Sequence, residues 1–419
     1  MRIARRTFLV FATLLIAAAC SSPTDGSQKA QPLITALPRS LSAEEQLAAA
    51  ATTDFGLALF RAVNARTGRD SNLALSPMSA SLALGMLMNG SERETLDDVR
   101  RTLAFGDRQV SQVNAAYKAL IPLLVTLDPS VTMKFANAAW FDSTAAPSAT
   151  FSQTLADVFG ARVSMLKLTA PSSITTINDW VSAATNARIP KIVDAFSPSD
   201  IALLVNATYF KGRWRAQFDA SKTRAAPFNV TSSETMQVPT MGNVEGLVRL
   251  GGGSTPNVVG EIPFGGDAFV MTIVMPPVGT LEAMIDSLTP ARWRQLISAL
   301  PTTTQSLYVQ LPKFRLETTR KLNDDLITLG MRRPFANAQL NPMFVVPSNQ
   351  RVVSEVLQKV FVDVNEEGAE AAAATSVTIS TTSAAMSALI VNRPFIFAIR
   401  ERLSGTILFL GKVVRPVAP

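Results

Sequence analysis

Glu366 to Asn392 reads EEGAEAAAATSVTISTTSAAMSALIVN, and the fold turns on what this stretch can do. It holds no proline, and after Glu370 it carries no charge. Gly368 sits near its start, where a backbone hinge needs freedom in φ and ψ. As a strand of period two, one face carries Ala369, Ala371, Ala373, Thr375, Val377 and Ile379, small at one end and branched and apolar at the other. The other face carries Glu370, Ala372, Ala374, Ser376, Thr378 and Ser380, small and increasingly polar, as a half-buried face should be. Every residue from 369 to 392 keeps its N–H, so a full ladder of hydrogen bonds is open to it. Two plainer readings stand beside the strand. Alanine is the best helix former, so 369–374 also suit a helix end, and an Ala/Ser/Thr run also suits a solvated linker. Local preferences that disagree in this way mark a segment with two available conformations. The residues alone leave strand, helix and linker open.

The chain opens MRIARRTFLVFATLLIAAAC. Arg2, Arg5 and Arg6 form a basic start, and Thr7 to Ala19 is uncharged and mostly apolar but too short to span a bilayer as a stable helix. Residues 1–19 therefore read as a signal peptide. Ala17-Ala18-Ala19-Cys20 resembles a lipobox, which makes Cys20 the lipidated first residue of a bacterial lipoprotein, although Ala17 stands where leucine is usual. Ordinary cleavage beside an incidental cysteine is the alternative. Ala4-Arg5-Arg6-Thr7-Phe8-Leu9 also resembles a twin-arginine signal, so the export route is open. Residues 20–46, rich in Ser, Pro, Ala and Gln, read as a flexible tether. Cys20 is the only cysteine, so no intrachain disulfide is possible and the body at 47–419 must be held by its core.

The formal net charge of +7 falls to +4 once Arg2, Arg5 and Arg6 are removed with the signal peptide. The remaining basic residues are scattered: Arg100-Arg101 lies beside Asp97-Asp98, and Arg332-Arg333 stands alone. No basic stripe with interleaved aromatics occurs, which argues against a nucleic-acid partner.

From Asp54 to Pro419 no low-complexity break divides the chain. Phe55, Leu59, Phe60 and Val63 give an amphipathic helix. Asn72–Pro77 reads as a short strand and turn, and Ser79–Asn89 as a helix apolar on most sides. Ser91 to Glu94 has the loose spacing of a capping box before a mixed-charge helix through Leu103. Asn137–Phe141 is strand-like, and Thr150–Phe159 and Ile177–Ala187 are helical. Ala202–Lys211 is a β-rich run in which Asn206 needs polar partners. Val270–Met275, Ser306–Leu311 and Ile407–Val413 are further strands, and Leu281–Ser287, Ala291–Ser298 and Leu322–Leu329 further helices. Strands and helices follow in irregular order, which predicts an α+β fold rather than a doubly wound one.

The chain has no histidine, which removes Ser-His-Asp and Cys-His catalysis and histidine-based metal sites. With Cys20 lipidated, no thiol nucleophile or zinc thiolate remains. Gly251-Gly252-Gly253-Ser254 lacks the lysine of a phosphate-binding loop and the spacing of a dinucleotide fingerprint, and predicts a hairpin turn. The acidic pairs Asp97-Asp98, Asp324-Asp325 and Glu366-Glu367 read as solvated surface. No catalytic, metal or cofactor site presents itself.

Nine pieces in order now matter together: Asn72-Leu-Ala-Leu-Ser-Pro-Met-Ser79, Ile177-Asn-Asp-Trp-Val181, Leu204-Val-Asn-Ala-Thr-Tyr-Phe-Lys-Gly-Arg-Trp214, Leu311-Pro-Lys-Phe314, Leu329-Gly-Met331, Val353-Ser-Glu-Val356, Glu366 to Thr375, Asn392-Arg-Pro-Phe395 and Phe409-Leu-Gly-Lys412. From about Asp54 to Pro419 the chain resembles the serpin family. The resemblance implies three β-sheets, eight or nine helices and an exposed reactive-centre loop at about 366–392. It also implies a suicide inhibitor of serine proteases, acting as a monomer without a cofactor. The protease attacks the loop and forms an acyl-enzyme. The cut loop then inserts as a new central strand and carries the trapped protease about 45 Å. Strand addition of this kind is an established serpin behaviour.

On that resemblance the hinge is Glu366, Glu367, Gly368, Ala369, Glu370, Ala371, Ala372, Ala373, Ala374 and Thr375. Counting from Gly368 places the reactive bond at Thr382–Ser383; counting from the distal anchor at Asn392 places it at Ser383–Ala384. Thr, Ser or Ala there suits an elastase- or subtilisin-like pocket. Trp214 matches the tryptophan at the top of the main sheet. Ser76, Ser79 and Asn206 match the polar cluster under the strands that must part. Gln358 replaces the usual histidine of that cluster, keeping a donor and an acceptor but no titration near neutrality. Ala369 replaces a more common threonine. Export with a lipid anchor puts the inhibitor at the cell envelope or surface. A non-inhibitory serpin acting as a binding protein, and an inhibitor of papain-like cysteine proteases, are the competing functions.

Overall fold

The computed structural model describes residues 31–251, 256–348, 351–369 and 388–418. Among these, the α-helices are α1 (Ala43–Ala65), α2 (Pro77–Asn89), α3 (Arg93–Thr102), α4 (Val110–Thr126), α5 (Ala149–Phe159), α6 (Pro171–Ala184), α7 (Leu281–Asp286), α8 (Pro290–Ser298), α9 (Asn323–Thr328) and α10 (Arg333–Ala336). That is ten where eight or nine were expected, the tenth being a single turn. Helices and strands interleave irregularly, and the fold is α+β as the element order predicted.

The strands that position the loop form a six-stranded sheet. Its order is β10 (Phe314–Lys321), β11 (Leu357–Val364), β12 (Gly368–Ala369), β4 (Ala202–Arg213), β2 (Val131–Asp142), β3 (Arg162–Leu166). The second network has nine strands: β1 (Leu73–Leu75), β15 (Ile407–Val413), β14 (Phe395–Glu401), β8 (Phe269–Met275), β7 (Val258–Pro263), β6 (Thr235–Gly251), β9 (Gln305–Pro312) and β13 (Ala388–Ile390) in order, with β5 (Arg224–Asn229) on β6. The sequence resemblance implied three sheets; the described residues give two connected networks. The reason is β6, whose first half pairs with β5 while its end pairs with β7, so one long strand belongs to two layers. It also pairs with β9 along most of its length, through a register shift between Asn243 and Gly246. Such a bulge bends a strand and lets it turn from one layer into the next. The β6 and β7 strands are antiparallel on either side of the glycine run at 251–254, most of which lies outside the described residues.

The core runs between the two networks. Phe314 packs edge to face with Phe395 and tilted against Phe397, and α2 is buried on nearly every side against β4 and β15. A second apolar cluster lies on the opposite face of the six-stranded sheet, where Ile177 and Val181 of α6 and Ile189 and Val193 after it cover Trp140, Leu203 and Val205.

The body begins earlier than the sequence suggested. The tether was placed at 20–46, yet Pro32 to Pro419 forms one unit and α1 starts at Ala43. Ser42 caps α1 with a full capping box to Glu45, whose carboxylate also takes the Arg39 guanidinium. Ile34 is docked too: its N–H donates to Gly266 O at 2.7 Å, and its carbonyl accepts from Arg402 at 3.0 Å. Residues 1–19 and Cys20 lie outside the described residues.

Candidate functional site

β12 is two residues long and is wedged between two strands. Gly368 and Ala369 pair with Arg213 and Gly212 of β4 on one side, and Ala369 pairs with Val364 of β11 on the other. Among the described residues no ladder joins β4 to β11 directly. The expected exposed loop is therefore corrected at its start: Gly368 and Ala369 are buried inside the sheet. Glycine is required at 368 by a close approach. A Cβ there would meet Gly212 O at 1.9 Å and Arg213 Cα at 2.8 Å, both backbone atoms that cannot swing away.

The turn from β11 into β12 is clamped. Asn365 and Gly368 exchange N–H···O bonds of 3.0 and 3.3 Å. Trp214 donates its backbone N–H to Glu367 O and its indole N–H to Asn365 O, both at 2.8 Å. Its ring stacks on Phe264, with centroids 4.5 Å apart and planes 13° apart, and Phe218 meets it edge on. Phe218 N–H donates to Glu366 O at 2.9 Å. The Glu366 carboxylate accepts from Thr223 at 2.7 Å and pairs with Lys313 at 3.0 Å. Burial pushes that carboxyl up, but the bonds from Thr223 and Lys313 and the lysine charge outweigh it, and it titrates below the ordinary glutamate range. The Glu366-Glu367 pair, read as solvated surface, is thus half-buried and partnered at Glu366, while Glu367 leaves one carboxylate oxygen buried without a partner.

The predicted polar cluster is assembled at the N-terminus of α2. Ser76 caps that helix: its hydroxyl accepts from Ser79 N–H at 3.3 Å and donates to Leu408 O at 2.8 Å. Gln358 on β11 takes both backbone groups of Ser76, accepting from its N–H at 3.2 Å and donating to its carbonyl at 2.9 Å. Ser79 hydroxyl reaches Asn206 O at 3.4 Å. The two walls therefore meet through α2, with β11 held by Ser76 and β4 by Ser79. Gln358 is 5 % exposed and uses both ends of its amide.

Four further groups, Asn137, Thr208, Lys313 and Thr223, were not found from sequence. Asn137 on β2 accepts from the Asn206 amide at 2.6 Å and donates to Phe159 O at 2.7 Å, and Thr208 donates to Asn206 at 2.9 Å. Asn137 carried the same signal as Asn206, a polar amide inside an apolar strand. Lys313 and Thr223 had no local signal, since their partner lies across the fold.

The loop leaves the described residues at Glu370 and returns at Ala388. Glu370, Ala371, Ala372, Ala373, Ala374 and Thr375 of the hinge, and Thr382, Ser383 and Ala384 of the reactive bond, lie outside them. The return is anchored differently. β13 runs parallel to β9, Leu389 is fully buried, and Arg393 donates to Pro276 O at 2.7 Å.

Residues 50–416 match the family described as serpin (serine protease inhibitor). Among curated proteins, the chain is 32 % identical over 351 residues to serine protease inhibitor 42Dd of Drosophila melanogaster, covering 83 % of this chain and 92 % of that one. It is 29 % identical over 381 residues to neuroserpin of Homo sapiens, covering 87 % and 91 %. Among solved structures, human thyroxine-binding globulin in complex with its hormone superposes with a TM-score of 0.80 at 26 % identity, covering 90 % of this chain and 100 % of that one.

Proposed function

The chain belongs to the serpin family, and on that footing we propose that it is a suicide inhibitor of serine endopeptidases with small primary pockets, elastase- or subtilisin-like. The observation that carries this is β12: the first two residues of the loop already sit between β4 and β11, paired to both. A target enzyme attacks the carbonyl of Thr382 or Ser383 and becomes acylated, and the proximal strand then continues from Ala369 downward. No described group performs chemistry on the substrate; the protease supplies the nucleophile and the base. What this chain contributes is a two-residue nucleus, walls held through α2, and a hinge sequence without bulk or proline.

The same proposal extends to the N-terminus, where residues 1–19 direct export and Cys20 carries a lipid that tethers the body to the cell envelope.

Mixing the protein with pancreatic elastase and with subtilisin, followed by denaturing gel electrophoresis and intact-mass measurement, tests the mechanism. The expected result is a covalent adduct and a released peptide beginning at Ser383 or Ala384. Cleavage with neither adduct nor gain in stability would overturn it in favour of a binding protein, as thyroxine-binding globulin is among its structural neighbours.

A further inference from the structure

We propose that the cleft between α2 and residues 352–356 binds a single-chain fatty acid, with the tail among its apolar walls and the carboxylate on Arg351. The site belongs to the intact chain and stands apart from the inhibitor reading.

The walls are Leu84 and Leu87 of α2, Leu204 of β4, Met343, Phe344 and Val353. About 590 Å³ of empty space lies between them, the open mouth included. That is within the range of roughly 300–1,000 Å³ typical of small-molecule sites. Both sides of the cleft are pinned by bonds to other parts of the fold. On one side Val345 N–H donates to Ala146 O at 3.0 Å, and the Ser148 hydroxyl donates to Pro342 O at 2.7 Å. On the other, Val353 N–H donates to Pro334 O at 2.8 Å. Asn323 holds the same side twice, accepting from Val356 N–H and donating to Ser354 O, both at 2.9 Å. A cleft built before its ligand arrives spares the cost of ordering its walls.

The charges beside the cleft choose the head group. Glu355 lines it, but its carboxylate pairs with Lys321 at 3.3 Å. Arg351 pairs with no carboxylate among the described residues. Its guanidinium lies 4.1 Å from the centre of the Phe344 ring and donates to the neutral Val346 O. Phe344 is itself a wall, so this cation stands at the margin of the apolar space with donors to spare. A guanidinium takes a carboxylate through two parallel bonds, whereas a cationic head would be repelled. The mouth also exposes Val345 and Val346, at 63 % and 66 %. A bilayer or a second copy would cover those valines without filling the concavity behind them. A single acyl chain fills it.

The test is isothermal titration of the intact protein with octanoate, decanoate and dodecanoate, each below its micelle concentration. One saturable site is expected, with affinity rising about fourfold per methylene. Arg351→Ala should weaken dodecanoate about tenfold and leave dodecanol unchanged, and Arg351→Lys should restore part of the loss. Ala83→Phe, which fills the cleft from α2, should abolish binding of both. If that variant fails to fold, the exchanges at Arg351 still decide the matter. Dodecanoate carrying a diazirine should label residues between 340 and 356. The proposal is overturned by an absence of saturable binding, by equal affinity of wild type for dodecanoate and dodecanol, or by label elsewhere. Binding to phosphatidylglycerol vesicles but not to monomeric dodecanoate would make this face a membrane contact and overturn it. A dimer on size exclusion that Val345→Asp/Val346→Asp dissolves, with no uptake of dodecanoate, would make it an interface between copies and overturn it as well.

Discussion

The two strands that flank residues 370–387, β12 and β13, are both paired, yet they are held in opposite ways. The proximal end, β12, is antiparallel to both neighbours and has only two residues in place. Its ladder can lengthen one residue at a time along walls already parted. The distal end, β13, lies parallel on the outer side of β9 with Leu389 at 0 % exposure, and the chain runs on at once into the buried β14. Among the described residues it pairs with β9 alone, at the end of its strand order. On the proposed mechanism, cutting between them would leave one end free to zip and the other fixed, so the anchors rather than the cut bond would set the direction of insertion.

The largest expected break of this asymmetry is Ala371→Arg. A charge carried into the sheet with no partner should block insertion, and trapping efficiency should fall by roughly 100-fold or more while the intact fold survives. Adduct yield against elastase, with circular dichroism of the intact protein, checks both halves. Next is Gly368→Ala. Its Cβ would strike Gly212 O, so β12 should leave the sheet, Trp214 emission should shift to the red, and amide exchange at Gly212 and Arg213 should accelerate. Leu389→Ala probes the other end. It should cost the intact protein about 2–5 kcal/mol, read by chemical denaturation, and leave the direction of insertion unchanged.

Smaller effects sharpen the picture through pH. Gln358 does not titrate, so loop insertion should be flat between pH 6 and 8. In Gln358→His the neutral ring could still serve both Ser76 groups, whereas the protonated ring has no acceptor left for Ser76 N–H. The folded-state pKa would then lie below the unfolded one. Stability would be full above the ordinary histidine value and lost as pH falls through the depressed one, which a pH series of unfolding midpoints would show. Glu366 carries the same sign with a smaller reach. Its lowered pKa means that the clamp contributes fully above the ordinary glutamate value and fades as pH drops through the folded one. Trp214 fluorescence should report that acid loosening, and Glu366→Gln should abolish its pH dependence.

Much of this was legible because it is local. Apolar periodicity gave α1, the nearly all-apolar run at 79–89 gave α2, and the β-rich run at 202–211 gave β4. Elements whose cause is distant were harder to read. β6 contains Pro239 and Gly242, which break any strand pattern, and it exists because β5, β7 and β9 pair with it. α6 starts at Pro171, ahead of the expected Ile177, since proline at the first turn opens a helix whose first residues are polar. Ser91 to Glu94 had the spacing of a capping box, but Ser91 turns back to bond Leu87 O and Glu92 makes no cap. Within the site, Asn206 announced itself as an amide in an apolar strand. That Gly368 and Ala369 stand inside the sheet could not be read, because the separation of β4 from β11 is a property of neither strand alone.

The bonds at Ser76 also govern when the molecule can be finished. Its partners Gln358 and Leu408 lie 282 and 332 residues further along the chain. The Asn72 amide likewise waits for Arg415 O, 343 residues away, and β1 for β15. Each of these contacts waits until its distant partner, between Gln358 and Arg415, has been delivered. Closing such long loops is slow, and strand edges stay uncovered in the meantime. Assembly therefore waits for β15, and truncation before Ile407 should leave an aggregation-prone chain rather than a smaller folded one.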